Sequence, residues 1–138
     1  MLNWSKSWAQ WYRRALPAYW IYLFCATHFP QPTLPDVPGS DKLAHFAAFA
    51  ILAFLLWRFA ESFNRGLSRR FAWIAMFWLG VYAAADEYLQ ELPGTNRSAS
   101  LLDWLADFAG VAAVLLLLEV RRRRAAPPQA TKADAPRT

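Results

Sequence analysis

Asp86-Glu87-Tyr88-Leu89-Gln90-Glu91-Leu92-Pro93-Gly94-Thr95-Asn96-Arg97-Ser98-Ala99-Ser100-Leu101-Leu102-Asp103-Trp104-Leu105-Ala106-Asp107-Phe108-Ala109-Gly110 decides how the chain is read. Phe71–Ala85 before it and Val111–Leu118 after it carry no charge at all. The stretch therefore sets carboxylates and an amide between two apolar runs. Ionisable groups within membrane-length segments are costly, so they mark function or a specific partner.

Working outward, Phe71–Leu89 and Leu101–Val120 read as two spans joined by a Pro-Gly turn. Leu43–Ala60 is apolar apart from His45 and Arg58 and reads as another span. Ser40 or Asp41 can cap it. Ala15–Phe29 is the first span, with Trp11 and Tyr12 lengthening it and Pro17 in its first turns. A basic start before a short apolar run also fits a signal peptide. Cys25-Ala26-Thr27-His28 is a poor cleavage site, so an uncleaved helix is the better reading. Cys25, the single cysteine, reads as a buried inert thiol. The fold expected is all-α, an integral membrane bundle of four antiparallel transmembrane helices.

Composition agrees. The chain is 57% hydrophobic and holds eight Trp in 138 residues, more than a small soluble core needs. The net charge of +5 sits in blocks: the N-terminus, the loop with Arg65, Arg69 and Arg70, and Arg121–Arg124. No basic stripe is interleaved with aromatics, so nucleic-acid binding is not expected. Loop 31–40 has no Lys or Arg, and loop 92–98 has only Arg97. The positive-inside rule then places both termini in the cytoplasm and those two loops outside. Residues 1–14 form a cytoplasmic segment, 15–120 the membrane domain, and 121–138 a basic, disordered cytoplasmic tail.

Depth brings the polar groups together. With a rise of about 1.5 Å per residue across a core about 30 Å thick, His45, Asp86, Glu87, Asp103 and Asp107 all fall within about 10 Å of the outer surface. Asp41 and His45 stand at i, i+4. Gly80, Ala83, Glu87 and Gln90 share one side of the third span, and Ser100, Asp103, Asp107 and Gly110 one side of the fourth. Small residues on those stripes allow close helix approach.

The expected pocket is acidic: Asp41, Asp86, Glu87, Asp103 and Asp107 against Lys42 and Arg97. Its carboxylates cannot all stay ionised there; some must be protonated, reach water or meet a cation. His45 could act as a base and Glu87 as an acid, with Asp103 orienting them. Asp41, Lys42, Asp86, Gln90, Arg97, Ser100 and Asp107 would bind substrate. Lys42 and Arg97 suit a phosphate or carboxylate, such as a lipid or cell-wall precursor head group. His45 and the acids could ligate a metal, but with no His-x-x-x-His or Cys pair the sequence assigns none, and it names no cofactor or oligomeric state. Plainer roles compete: His45 as an interhelical hydrogen-bonding group, Asp41 as a helix cap, Asp103 with Arg97 as a structural ion pair.

Asp41-Lys42-x-x-His45-Phe46, Asp86-Glu87-x-x-Gln90, Arg97-x-x-Ser100-x-x-Asp103 and Gly110, in that order, make the sequence resemble the VanZ-like family of small bacterial membrane proteins. The resemblance covers about Asp41–Gly110. Asp107 departs from it, since the family pattern favours Asn there. The resemblance implies a multi-pass protein of the bacterial inner membrane and an association with resistance to the glycopeptide teicoplanin. It supplies that context rather than a reaction. Three functions follow as expectations: an envelope-acting, head-group-binding protein; a membrane-embedded hydrolase or transferase; or a structural membrane partner subunit.

Overall fold

The structure is a computed structural model of the chain and describes residues 6–28, 39–63, 67–90 and 99–125. Among them the chain is all-α: α1 (Lys6–His28), α2 (Ser40–Glu61), α3 (Arg69–Gln90) and α4 (Leu101–Ala125), with no strand. Loop residues 29–38, Arg65, Glu91, the 92–98 turn with Arg97, and 126–138 lie outside the described residues.

Each apolar run forms its expected helix, but the ends move outward. The first helix starts at Lys6, well before Ala15. Buried Tyr12 and an Arg13 guanidinium that donates to the Ser62 hydroxyl tie the polar segment to α2. Pro17 consequently lies inside α1, where it removes one backbone hydrogen bond. Cys25 is only partly buried. At the other end α4 runs on through Arg121–Arg124, because Glu119 accepts from Arg122 and Arg123 one turn later.

The helix starts show where local chemistry differs from expectation. Neither Ser40 nor Asp41 caps α2. Gly39 is the N-cap, at φ 83°, with no side-chain cap bond. The glycine takes this left-handed conformation without penalty, and Asp41 stays in the first turn, where its charge favours the helix dipole. Ser100 caps α4: its hydroxyl accepts from the Asp103 N–H at 3.3 Å.

The core holds Phe49, Leu52, Ala53 and Trp57 of α2, Leu79 and Ala83 of α3, Val111 and Leu115 of α4, and Leu16 and Leu23 of α1. The most extensive packing is α2 on α4, then α3 on α4. Gly110 explains the first. A Cβ there would overlap the Phe46 carbonyl oxygen and stand 3.1 Å from the Ala50 nitrogen, so the two backbones are in contact. The same packing brings the first turns of α2 and α4 to one end, beside the last turns of α1 and α3.

Apolar side chains also cover the outside. Ile21, Tyr22 and Phe24 of α1, Trp73, Phe77 and Trp78 of α3, and Leu116 and Leu117 of α4 are exposed. A soluble monomer rarely shows so continuous an apolar surface. Two helices, α2 and α4, are long and apolar enough to cross a membrane.

Candidate functional site

The last turn of α3 and the first turns of α2 and α4 build the site. On α4, positions 103 and 107 are one turn apart and face inward, and both are buried. On α2, His45 stands one turn above Asp41 and reaches them. Its Nδ1 lies 3.0 Å from Asp107 Oδ1 and 3.7 Å from Glu87 Oε1. Its Nε2 lies 3.9 Å from Asp41 Oδ1. The imidazole is thus walled by carboxylates from three helices.

Glu87 is fixed from behind. Its Oε2 accepts the Ser100 backbone N–H at 2.9 Å, so the carboxylate sits on the N-terminus of α4. Ser100, expected in the substrate site, donates its N–H to Glu87 and accepts the Asp103 N–H with its hydroxyl. Lys42 Nζ is 3.0 Å from Asp103 Oδ1 and 4.0 Å from Asp41 Oδ2. Asp103 therefore has Lys42 as its partner, and Asp107 is the carboxylate whose Oδ1 lies in hydrogen-bond range of His45 Nδ1. Arg97 lies outside the described residues.

Asp86 and Gln90 form a different cluster. A helix turns about 100° per residue, so adjacent Asp86 and Glu87 diverge. Asp86 faces α1: it accepts from Thr27 Oγ1 at 3.2 Å and from Gln90 Nε2 at 3.1 Å, with His28 Nδ1 at 3.8 Å. Thr27 and His28 escaped the sequence reading. Their signal in the sequence is a polar pair that closes an apolar run.

His45 also borders a cleft of about 400 Å³ between α1 and α2. Tyr19, Tyr22, Leu23 and Phe49 make its apolar walls, and Asp41, His45 and Thr27 its polar end. A second cleft, of about 460 Å³ between α2 and α3, is lined by Leu56, Phe59, Phe63 and Phe71, and among the described residues its lining carries no titratable group. It is the roomier of the two, but His45 and Asp41 line the first.

A family model described as VanZ/LLP1 matches residues 2–122. The chain belongs to the VanZ/LLP1 family. The match takes in all four helices, well beyond the 41–110 stretch that carries the resemblance. Comparison with curated proteins and with solved structures finds no match. VanZ/LLP1 membership and the two apolar helices together suggest a membrane protein.

Proposed function

We propose that this VanZ/LLP1 protein is an antiparallel four-helix bundle of the bacterial inner membrane with both termini cytoplasmic. Its acid–histidine end faces outward and binds the head group of a lipid or cell-wall precursor. The envelope role, and the glycopeptide-resistance context, come from the family resemblance. One observation carries the binding reading: His45 is shared between the buried carboxylates and the mixed cleft of about 400 Å³. Such a cleft suits an amphiphile, with acyl or prenyl carbons against Tyr19, Tyr22 and Leu23 and a polar head near His45 and Asp41. Arg97 is the residue we assign to an anionic group, because Lys42 is already held by Asp103.

The test is lipid co-purified from a mild-detergent preparation and identified by mass spectrometry. Ala44 lines the cleft and is exposed, so Ala44→Phe fills it at little cost to the core. Bound amphiphile should fall about tenfold, the equivalent of ~1.4 kcal/mol. Equal recovery from both proteins rules the cleft out.

A second reading, a membrane hydrolase or transferase, is favoured by the 3.0 Å His45–Asp107 bond, an oriented imidazole of the kind general bases need. In it His45 is the base, Glu87 the acid, and Asp107 takes the orienting place that the sequence gave Asp103. Glu87→Gln keeps the shape and removes the acid. Full turnover of an envelope substrate by that variant would end this reading.

A further inference from the structure

We propose that His45, Glu87 and Asp107 form a binding site for one divalent cation of the Zn²⁺ or Mn²⁺ class. Their candidate ligand atoms, one from each of α2, α3 and α4, all lie within 4.8 Å of one another. Ligands bonded to one ion at about 2.0–2.2 Å, at right or tetrahedral angles, stand about 3–3.5 Å apart. Nδ1 of His45 is already 3.0 Å from Asp107 Oδ1 and 3.7 Å from Glu87 Oε1.

A second observation points to a ligand independently. Glu87 Oε1 and Asp107 Oδ2 are buried and accept no hydrogen bond. Asp107 is 0% exposed and Glu87 5%. The other oxygen of Glu87 accepts the Ser100 N–H, and that of Asp107 lies 3.0 Å from His45 Nδ1, a contact that a shared ion would replace. The nearby ammonium of Lys42 is engaged by Asp103. Buried carboxylate oxygens left without a donor are strongly disfavoured. A dication beside His45 Nδ1 would satisfy Glu87 Oε1, 3.7 Å away, and an Asp107 bound through both oxygens would satisfy its Oδ2 as well. The charges balance as well: two carboxylates and a neutral imidazole against 2+.

The surroundings suit the role. Nε2 of His45 faces Asp41 at 3.9 Å, the outer carboxylate that would take its N–H and turn the Nδ1 lone pair to the ion. The Ser100 N–H steadies Glu87 in the same way. One nitrogen and two oxygens, with no sulfur, fit Zn²⁺, Mn²⁺ or Fe²⁺ better than Cu⁺ or Ca²⁺. Three protein ligands leave a position for water or for an oxygen of a bound anion. Only that last point rests on the head-group reading; the ion binds without lipid. The other grouping, Asp41, His45 and Asp103, uses an exposed Asp41 and an Asp103 already paired with Lys42, so the buried set is preferred.

The full chain in detergent is stripped with a chelator, dialysed against micromolar Zn²⁺ or Mn²⁺, and its metal counted by plasma mass spectrometry. About one ion per chain is expected. Glu87→Gln and Asp107→Asn, both near-isosteric, should each lower the affinity at least tenfold, and Asp103→Asn should keep it. His45→Ala should abolish binding; should that variant unfold, the two isosteric ones still decide. No ion on the folded wild type, or undiminished binding in Glu87→Gln and Asp107→Asn, overturns the site. Lipid retained by stripped protein that takes up no ion defeats this proposal and leaves the head-group reading standing. An ion bound with no lipid does the reverse.

Discussion

Gly110→Ala tests the packing that creates the site. The added Cβ would overlap the Phe46 carbonyl oxygen and stand 3.1 Å from the Ala50 nitrogen. Both are backbone atoms of α2, so no side chain can rotate away; the helices themselves must part. Overpacking of this kind costs about 1–3 kcal/mol, at the upper end when main chain must move. Replacing Gly by Ala inside a helix returns about 1 kcal/mol. A net loss of about 2 kcal/mol is expected. Gly80→Ala is the internal control. Its Cβ would meet the Phe108 ring at 3.1 and 3.2 Å, and a ring edge can yield, so the helix gain should nearly offset the crowding. Parting α2 from α4 also pulls His45, next to Phe46, away from Asp107 at 3.0 Å, so Gly110→Ala should weaken ion and lipid binding too. Thermal unfolding in detergent, with binding measured on the folded fraction, reads both effects. A Gly110→Ala protein as stable as wild type, or less perturbed than Gly80→Ala, would refute the close contact of α2 and α4.

Thr27→Val keeps the shape of α1 and removes the hydroxyl that donates to Asp86; a loss of about 1–2 kcal/mol in unfolding is expected, and no loss would detach Asp86 from α1. Trp104→Phe drops the indole N–H donated to the Gly80 carbonyl at 3.1 Å and should cost about 1 kcal/mol, with ion binding intact. In Cys25→Ser protein, cysteines at Pro35 and Ser98 should react with an impermeant thiol reagent from outside intact cells and one at Arg65 should not; the opposite pattern inverts the proposed orientation.

Much of this was legible in the chain. Apolar runs of span length located four helices, and a shared depth gathered His45, Glu87, Asp103 and Asp107. The ends were harder. Polar residues close a hydropathy pattern without closing a helix: Tyr12 packs in the core and Glu119 satisfies Arg122 and Arg123, so α1 starts early and α4 ends late. Rotation about each helix axis was harder still. Hydropathy could not say which of the neighbours Asp86 and Glu87 turns to α1. Nor could it say that Lys42 reaches across to Asp103, the residue the sequence paired with Arg97. A site built from three helices also leaves no spacing motif, which is why the sequence assigned no metal to His45, Glu87 and Asp107.

The site depends on α2 and α4 meeting through His45 and Asp107. A double-mutant cycle with His45→Gln, Asp107→Asn and the pair, read by unfolding in detergent, measures that meeting. A coupling of about 0.5–1.5 kcal/mol is predicted, the range found for interhelical hydrogen bonds in membranes. Additive effects, within about 0.3 kcal/mol, would mean that the two side chains do not touch.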